Sequence, residues 1–282
     1  MAGRLGDVEA QIQNVHQLGT VVTAMRGIAA ARAQHGRSLL DGIDAYSDVI
    51  SGAIGHALSL LPGDAVPSAA LTAGKRAVIL FGAEQGFAGT FAERLLDAVS
   101  ESVPGAELFL IGSRTIALAA ERDVTPDWSV AMTTHMDAIP SLVNHLTQAL
   151  YDRIAEGGIL DVDLIFARSA GSGVDVERHS LLPLDYALFT RTAGAFPPIT
   201  LLAPEVLLER LAEEYVFAQL YKAAMHAYEA ENAARMIAMA SARSNIETKL
   251  ERLTQWQRQL RQDEITEEII ELAAGAEALH HR

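Results

Sequence analysis

The chain has 282 residues, half of them hydrophobic, enough to bury a substantial core and to exclude wholesale disorder. Its formal charge of −14 and pI near 5.0 repel polyanions at long range, which excludes non-specific attraction to nucleic acid or to an anionic lipid surface and leaves only local basic sites. Without cysteine there can be no disulfide, thiolate metal site or cysteine nucleophile, a composition that fits a reducing compartment.

The opening residues, "MAGRLGDVEAQIQNVHQ", lack the charged head, apolar run and small-residue cleavage site of a signal peptide, and read as the start of the mature protein. No charge-free apolar run of ~18 residues occurs, so no helix is expected to span a bilayer. From about Val8 to Leu61, apolar residues return at helical spacing: Ile12, Val15, Val22, Met25 and Ala29, then Leu39, Ile43, Tyr46, Ile50, Ile54 and Leu61. The period is close to that of a coiled-coil seam. Gly19, Gly27, Gly36 and Gly42 each cost up to ~1 kcal/mol of helix propensity relative to alanine, so this helix needs a partner along its length.

Between Pro62 and about Leu202 the pattern changes to short apolar runs. "RAVILFGA" (Arg76 to Ala83) and "ELFLIGS" (Glu107 to Ser113) predict strands buried on both faces. The stretch "GTFAERLLDAVSESV" from Gly89 predicts an amphipathic helix between them. A second helix is predicted from about Ala138 to Glu156, and further strands over Asp161 to Ser169 and Val176 to Asp185. Such alternation predicts a small, mainly parallel α/β domain. The stretches "LPGDAVPSAALTAGK" and "TRTAGAFPPITLLAP" mark its edges by their glycine, proline, serine and threonine.

After Pro204 the next glycine is Gly275, so roughly 70 residues can stay helical, a length of about 105 Å at ~1.5 Å per residue. The simplest partner for this helix is the N-terminal one, packed antiparallel. "TAMRGIAAARAQ" (Thr23 to Gln34) and "AARMIAMASARS" (Ala233 to Ser244) are alanine-rich, which permits a close crossing. The plainer alternative is that alanine only supplies helix propensity on a solvated face.

Candidate chemistry is sparse. "FGAEQGFAGTF" (Phe81 to Phe91) leaves a strand, carries Gly82, Gly86 and Gly89, and enters a helix whose N-terminus could hold a phosphate. Its spacing matches neither the dinucleotide fingerprint nor the Walker loop, and a tight strand-to-helix turn explains it equally. The nine histidines do not fall at metal-ligand spacings, and no GxSxG or HExxH motif occurs. Asp263, Glu264, Glu267, Glu268 and Glu271 read as a solvated helix face. Neither catalysis nor a cofactor or metal has a foothold in these patterns, which favours a mechanical or scaffolding role.

The segments "AMRGIAAAR", "VILFGAEQGFAGTF", "YVFAQLYKA", "ENAARMIAMASARSN" and "RQDEITEEIIELAAGAEAL", in that order over nearly the whole chain, closely resemble the gamma subunit of F-type ATP synthases. The resemblance implies a long antiparallel coiled coil of the N- and C-terminal helices with an inserted small Rossmann-like α/β domain, divided as 1–61, 62–203 and 204–282. It implies a non-catalytic rotor shaft with no cofactor. Its partners would be the alpha and beta subunits of the catalytic ring, the epsilon subunit and the membrane c ring. It would lie peripherally on the cytoplasmic side of the inner (plasma) membrane.

Carried over by position, the resemblance puts Arg261, Gln262 and Thr266 against the beta subunits. It puts Met25 across from the C-terminal helix near Arg235, Gln262, Ile265, Thr266 and Glu271, where torque passes. Tyr215 and the run to Tyr221 fall in the foot near the c ring, and the tip "IIELAAGAEAL" in an apolar sleeve. Thr20, Thr23, the loop "AEQGFAGTF" and Phe217 depart from the family's usual pattern, as in a divergent paralogue or an alternative F-type complex. The competing readings are a small-molecule-binding α/β protein with coiled-coil dimerisation arms, using "FGAEQGFAG" as its ligand loop, and a cytosolic scaffold.

Overall fold

The computed structural model describes residues 2–62, 74–100, 105–171, 173–191 and 199–280, with the backbone alone at 2, 3, 100 and 275–280. Most of both predicted edge linkers, the residues after Ser100 in the predicted second element, and the side chains of the tip from Gly275 fall outside that description. In chain order the elements are α1 (Ala2–Leu60), β1 (Lys75–Phe81), α2 (Phe91–Ser100), β2 (Glu107–Ile111), α3 (Ser113–Glu121), β3 (Trp128–Val130), α4 (Ile139–Ala155), β4 (Ile159–Ala170), β5 (Gly173–Leu182) and α5 (Pro204–His280), with single 3₁₀ turns at Met136–Ala138 and Tyr186–Leu188. The chain forms two compact units, one of residues 1–28 with 236–282 and the other of residues 29–235.

The larger unit is built on a five-stranded sheet in the order β3-β2-β1-β4-β5. β1 lies parallel to β2 and to β4, and β2 parallel to β3. β4 and β5 form an antiparallel hairpin, because the few residues between them are too short for a crossover. The interior strands read as continuous apolar runs for the reason anticipated: both faces are covered. Val78, Leu80, Leu108, Leu110 and Ile165 pack with α2 and α3 residues such as Leu95 and Leu118. Ile79, Phe81, Phe109, Ile111, Leu164 and Phe166 face α4 and α5. Phe81 and Phe109 are fully buried, and burial of such a side chain contributes about 1.5–3 kcal/mol. α3 and β3 were not anticipated, and β5 stops at Leu182 because Pro183 offers no N–H to extend the ladder.

α5 runs for 77 residues, starting at Pro204, where a missing N–H costs nothing in the first turn, and continuing past Gly275. From Ala223 to Ala233 every residue is buried. Ala223, Ala224, Met225, Ala227 and Tyr228 face the sheet core, and α1 lies along the helix from another side. In this unit α1 and α5 run antiparallel: Arg37 meets Glu229 at 2.6 Å, Lys222 meets Asp44 at 2.7 Å, and Gln219 donates to Ser47 at 2.8 Å. A Cβ on Gly36 would lie 3.1 Å from the Cβ of Glu229, so here glycine serves the close crossing. Gly42 is exposed and meets nothing. Replacing Gly42 by alanine is therefore expected to raise the stability of the purified chain by about 0.5–1 kcal/mol, measured by urea unfolding.

The smaller unit pairs the start of α1 with the end of α5, also antiparallel. Val15, Val22, Met239, Ile246 and Leu253 form its seam, with Ile12, Met25, Ala238, Ala242 and Leu250 at the margins. Arg243 donates to Thr23 at 3.0 Å, and Gln257 to Glu9 at 2.8 Å. Among the described residues no helix is long and apolar enough to cross a membrane.

Candidate functional site: a clasp between the C-terminal helix and the strand-to-helix loop

The loop after β1 lies at the carboxyl end of the sheet, beside the place where the strand order reverses between β1 and β4. That is where open α/β sheets bind ligands. Here the position is taken by the chain's own side chains. The Glu231 carboxylate accepts from the backbone N–H of Glu84 at 3.1 Å and of Gln85 at 2.9 Å. Arg235, one turn along α5, donates to the carbonyl of Gly86 at 3.1 Å and of Gln85 at 3.2 Å, and also to Asn232 at 3.0 Å and to Glu231. Glu231 is 3% exposed and Arg235 5%. Acid and base thus satisfy the amides and the carbonyls of one loop, and each other.

Glu84 carries the linkage onward. Its carboxylate accepts from the Ser113 N–H and hydroxyl, both at 2.9 Å, and from the Met132 N–H at 2.7 Å. Ser113 is the first residue of α3, so the start of that neighbouring helix already has an anion. Loop amides that could cradle a phosphate are occupied in the same way by Glu231. The remaining cavity, between the loop and Arg114, is about 80 Å³, far below the ~300 Å³ and upward of ordinary ligand pockets. The tight-turn reading of "FGAEQGFAGTF" therefore fits the loop, and two of the amides that the ligand-loop reading would use, those of Glu84 and Gln85, are engaged by Glu231.

The residues carried over by resemblance do not form one site. Arg235 is buried in the clasp. Met25 is half-buried at the seam with Met239 and Ala242. Gln262, Ile265, Thr266 and Glu271 lie along α5 well beyond that level, roughly 30 to 45 Å further at ~1.5 Å per residue, so the expectation that Met25 packs near them is corrected by the register. Arg261 reaches Glu9 at 3.3 Å, and Thr266 bonds back to the Gln262 carbonyl at 2.8 Å. From Ile265 to Ala274 every residue is exposed, including Ile265, Ile269, Ile270 and Leu272. Tyr215 is half-buried against Phe189, ring centroids 5.1 Å apart, and burial pushes its phenol pKa up.

A family model described as ATP synthase matches residues 4–279. The chain belongs to the ATP synthase gamma-chain family. The ATP synthase gamma chain of Beutenbergia cavernae is 26% identical over 298 residues, with 99% of each chain covered. That of Moorella thermoacetica is 28% identical over 283 residues, covering 97% of this chain and 98% of its own. The fold matches a chain of the Euglena gracilis mitochondrial ATP synthase OSCP/F1/c-ring structure with a TM-score of 0.66 at 12% identity, covering 99% of this chain and 96% of that one. A second Euglena structure, of the rotor, matches at 0.62 and 11% identity, covering 94% and 100%. A gamma chain is a non-catalytic subunit of ATP synthase.

Within this gamma-chain fold, sequence reasoning missed Glu84, Glu229, Glu231 and His226. The available signal was "YEAENAAR", where charges interrupt a run of small residues that has no polar face of its own. His226 is 3% exposed, neither ring nitrogen has a hydrogen-bond partner among the described residues, and the ring stacks on Phe166 at 6.0 Å. Burial lowers its pKa, as do Arg168 and Lys222, against the opposing pull of Asp44 and Glu177. Since the folded pKa lies below the ordinary imidazole value of 6.5, the unfolded chain takes up more protons there, and stability falls as pH drops from 6.5 towards the folded pKa. Replacing His226 by phenylalanine is expected to flatten this part of the acid limb, measured by urea unfolding at several pH values.

Proposed function

We propose that the chain is the rotor of the central stalk in an F-type ATP synthase. It couples ion flow through a membrane c ring to ATP synthesis or hydrolysis in an alpha/beta ring, and regulates that ATPase activity. The observation that carries this reading is the exposed apolar end of α5. Ile265, Ile269, Ile270 and Leu272 are 52–74% exposed, on a helix whose Arg261 is the last residue to bond α1 among the described residues. Apolar groups arrayed this way mark a surface that meets another protein. An apolar collar also suits rotation, because hydrophobic contact has no preferred direction. Support comes from the Euglena neighbours, which are chains of an F1/c-ring assembly and of a rotor.

In this reading Arg261, Gln262, Ile265, Thr266 and Glu271 meet the catalytic ring, and Met25 braces the shaft beneath them. The foot, with Tyr215, meets the c ring and the epsilon subunit. The larger unit offers a suitable surface there: an open groove of about 590 Å³ lined by Leu61, Tyr151, Ile154, Leu182, Leu208 and Val216 and rimmed by Glu205, Glu209 and Glu213. Leu201, Leu202 and Val206 are exposed nearby in sequence. The complex sits on the cytoplasmic side of the inner membrane, with this chain peripheral to it. Affinity purification of the tagged chain from its native cells is expected to bring down alpha, beta, epsilon and c subunits in fixed stoichiometry. Recovery of the chain alone, or as a homodimer, from gently solubilised membranes would contradict the reading.

A further inference from the structure

We infer that Glu231 and Arg235 are positioning residues that lock the α/β domain to α5 in one rotational setting, so that domain and helix turn as a single body. The inference rests on the rotor reading above and deepens it. Most of what joins α5 to the sheet is apolar: Val216, Leu220, Ala223, Ala224, Met225 and Ala227 pack into the core on one face and Ala230 into that on the other. Such contact resists separation but, being non-directional, offers little resistance to a sliding or twisting displacement. Hydrogen bonds depend on angle as well as distance, and those with ionised partners are the strongest.

Apart from the Tyr228 hydroxyl, which donates to the Thr134 carbonyl at 3.2 Å, the clasp gathers the directional bonds described here at one level of the helix. Glu231 holds the amides of Glu84 and Gln85, and Arg235 the carbonyls of Gln85 and Gly86. A turn of α5 in either sense must break donors and acceptors together. Through Glu84 the constraint extends to Ser113 and Met132, beside the ends of β2 and β3, so three parallel strands are tied to the helix through one loop. The ion pair between Arg37 and Glu229 joins α5 to α1 and does not touch this loop, which makes Arg37 a control.

The test uses the whole membrane-bound complex reconstituted into vesicles. The double variant Glu231→Gln/Arg235→Met removes both charges at once, so neither is left buried alone and the fold is kept. Amide exchange at Glu84 and Gln85 is expected to rise on the order of tenfold as their carboxylate acceptor is lost, the ATPase rate to stay near wild type, and ions pumped per ATP hydrolysed to fall several-fold. Arg37→Ala should leave the pumping ratio unchanged. If the double variant does not assemble, Arg235→Lys keeps the charge but replaces the planar fork with a single point donor, and a reduced pumping ratio is again expected. A wild-type pumping ratio in a variant whose loop amides exchange faster would overturn the inference. A wild-type complex that hydrolyses ATP without pumping would overturn the rotor reading itself, and the clasp with it.

Discussion

A chain ended at Thr266 is expected to fold with unchanged stability and to lose most of the complex's ion-driven ATP synthesis. From Glu267 to Ala274 every side chain is exposed, and changes at such surface positions usually alter stability by less than about 0.5 kcal/mol. The same residues include Ile269, Ile270 and Leu272, which together with Ile265 are exposed large apolar groups. Ile265, Ile269 and Leu272, at i, i+4 and i+7, share one side of the helix, and Ile270 stands on the flank beside them. Each would contribute about 1.5–3 kcal/mol on full burial against a partner, so losing three of them removes much of what seats the shaft in its collar. Urea unfolding of the purified chain measures the first expectation, and synthesis by vesicles under an imposed ion gradient the second. Full synthesis by the shortened chain would remove the tip from the coupling mechanism.

The elements that sequence revealed best were those whose neighbours are nearby in the chain or repeat regularly. The long helices follow from the absence of breakers and the return of Val15, Val22, Ile43 and Ile50 to one face. β1 and β2 follow from apolar runs that only a sheet covered on both sides can bury. α3 and β3 escaped because nine and three residues are too few for a period to show. The glycines could not be sorted by sequence either: Gly36 faces Glu229 across a close crossing while Gly42 faces open space, a distinction that depends on the partner helix.

The clasp was hidden for a related reason. Glu231 and Arg235 stand at i and i+4, the usual spacing of a solvated surface pair, and the loop they hold is about 150 residues away in sequence. The family resemblance set Arg235 near Met25 where torque passes, whereas its guanidinium is buried against the loop after β1. Resemblance conveyed that the position matters without conveying what it touches.

Replacing Arg235 alone by methionine is expected to destabilise the purified chain by about 3–5 kcal/mol, the usual cost of stripping one partner from a buried ion pair. The Glu231 carboxylate would remain among buried neighbours with only two amides for company, and the carbonyls of Gln85 and Gly86 would lose their donor. The comparison with Arg37→Met decides whether burial is the cause. Glu229 is as buried as Glu231, but the Arg37 side chain is 66% exposed against 6% for Arg235. Water can take the place of the Arg37 guanidinium, so that change should cost only about 1.5 kcal/mol. Adding Glu231→Gln to Arg235→Met should return much of the lost stability, since the stranded charge goes with it. Urea unfolding of the three variants measures all of this. Equal costs for Arg235→Met and Arg37→Met would show that the loop after β1 is held by its apolar neighbours, Ala83, Ala88 and Phe91, with the guanidinium adding little.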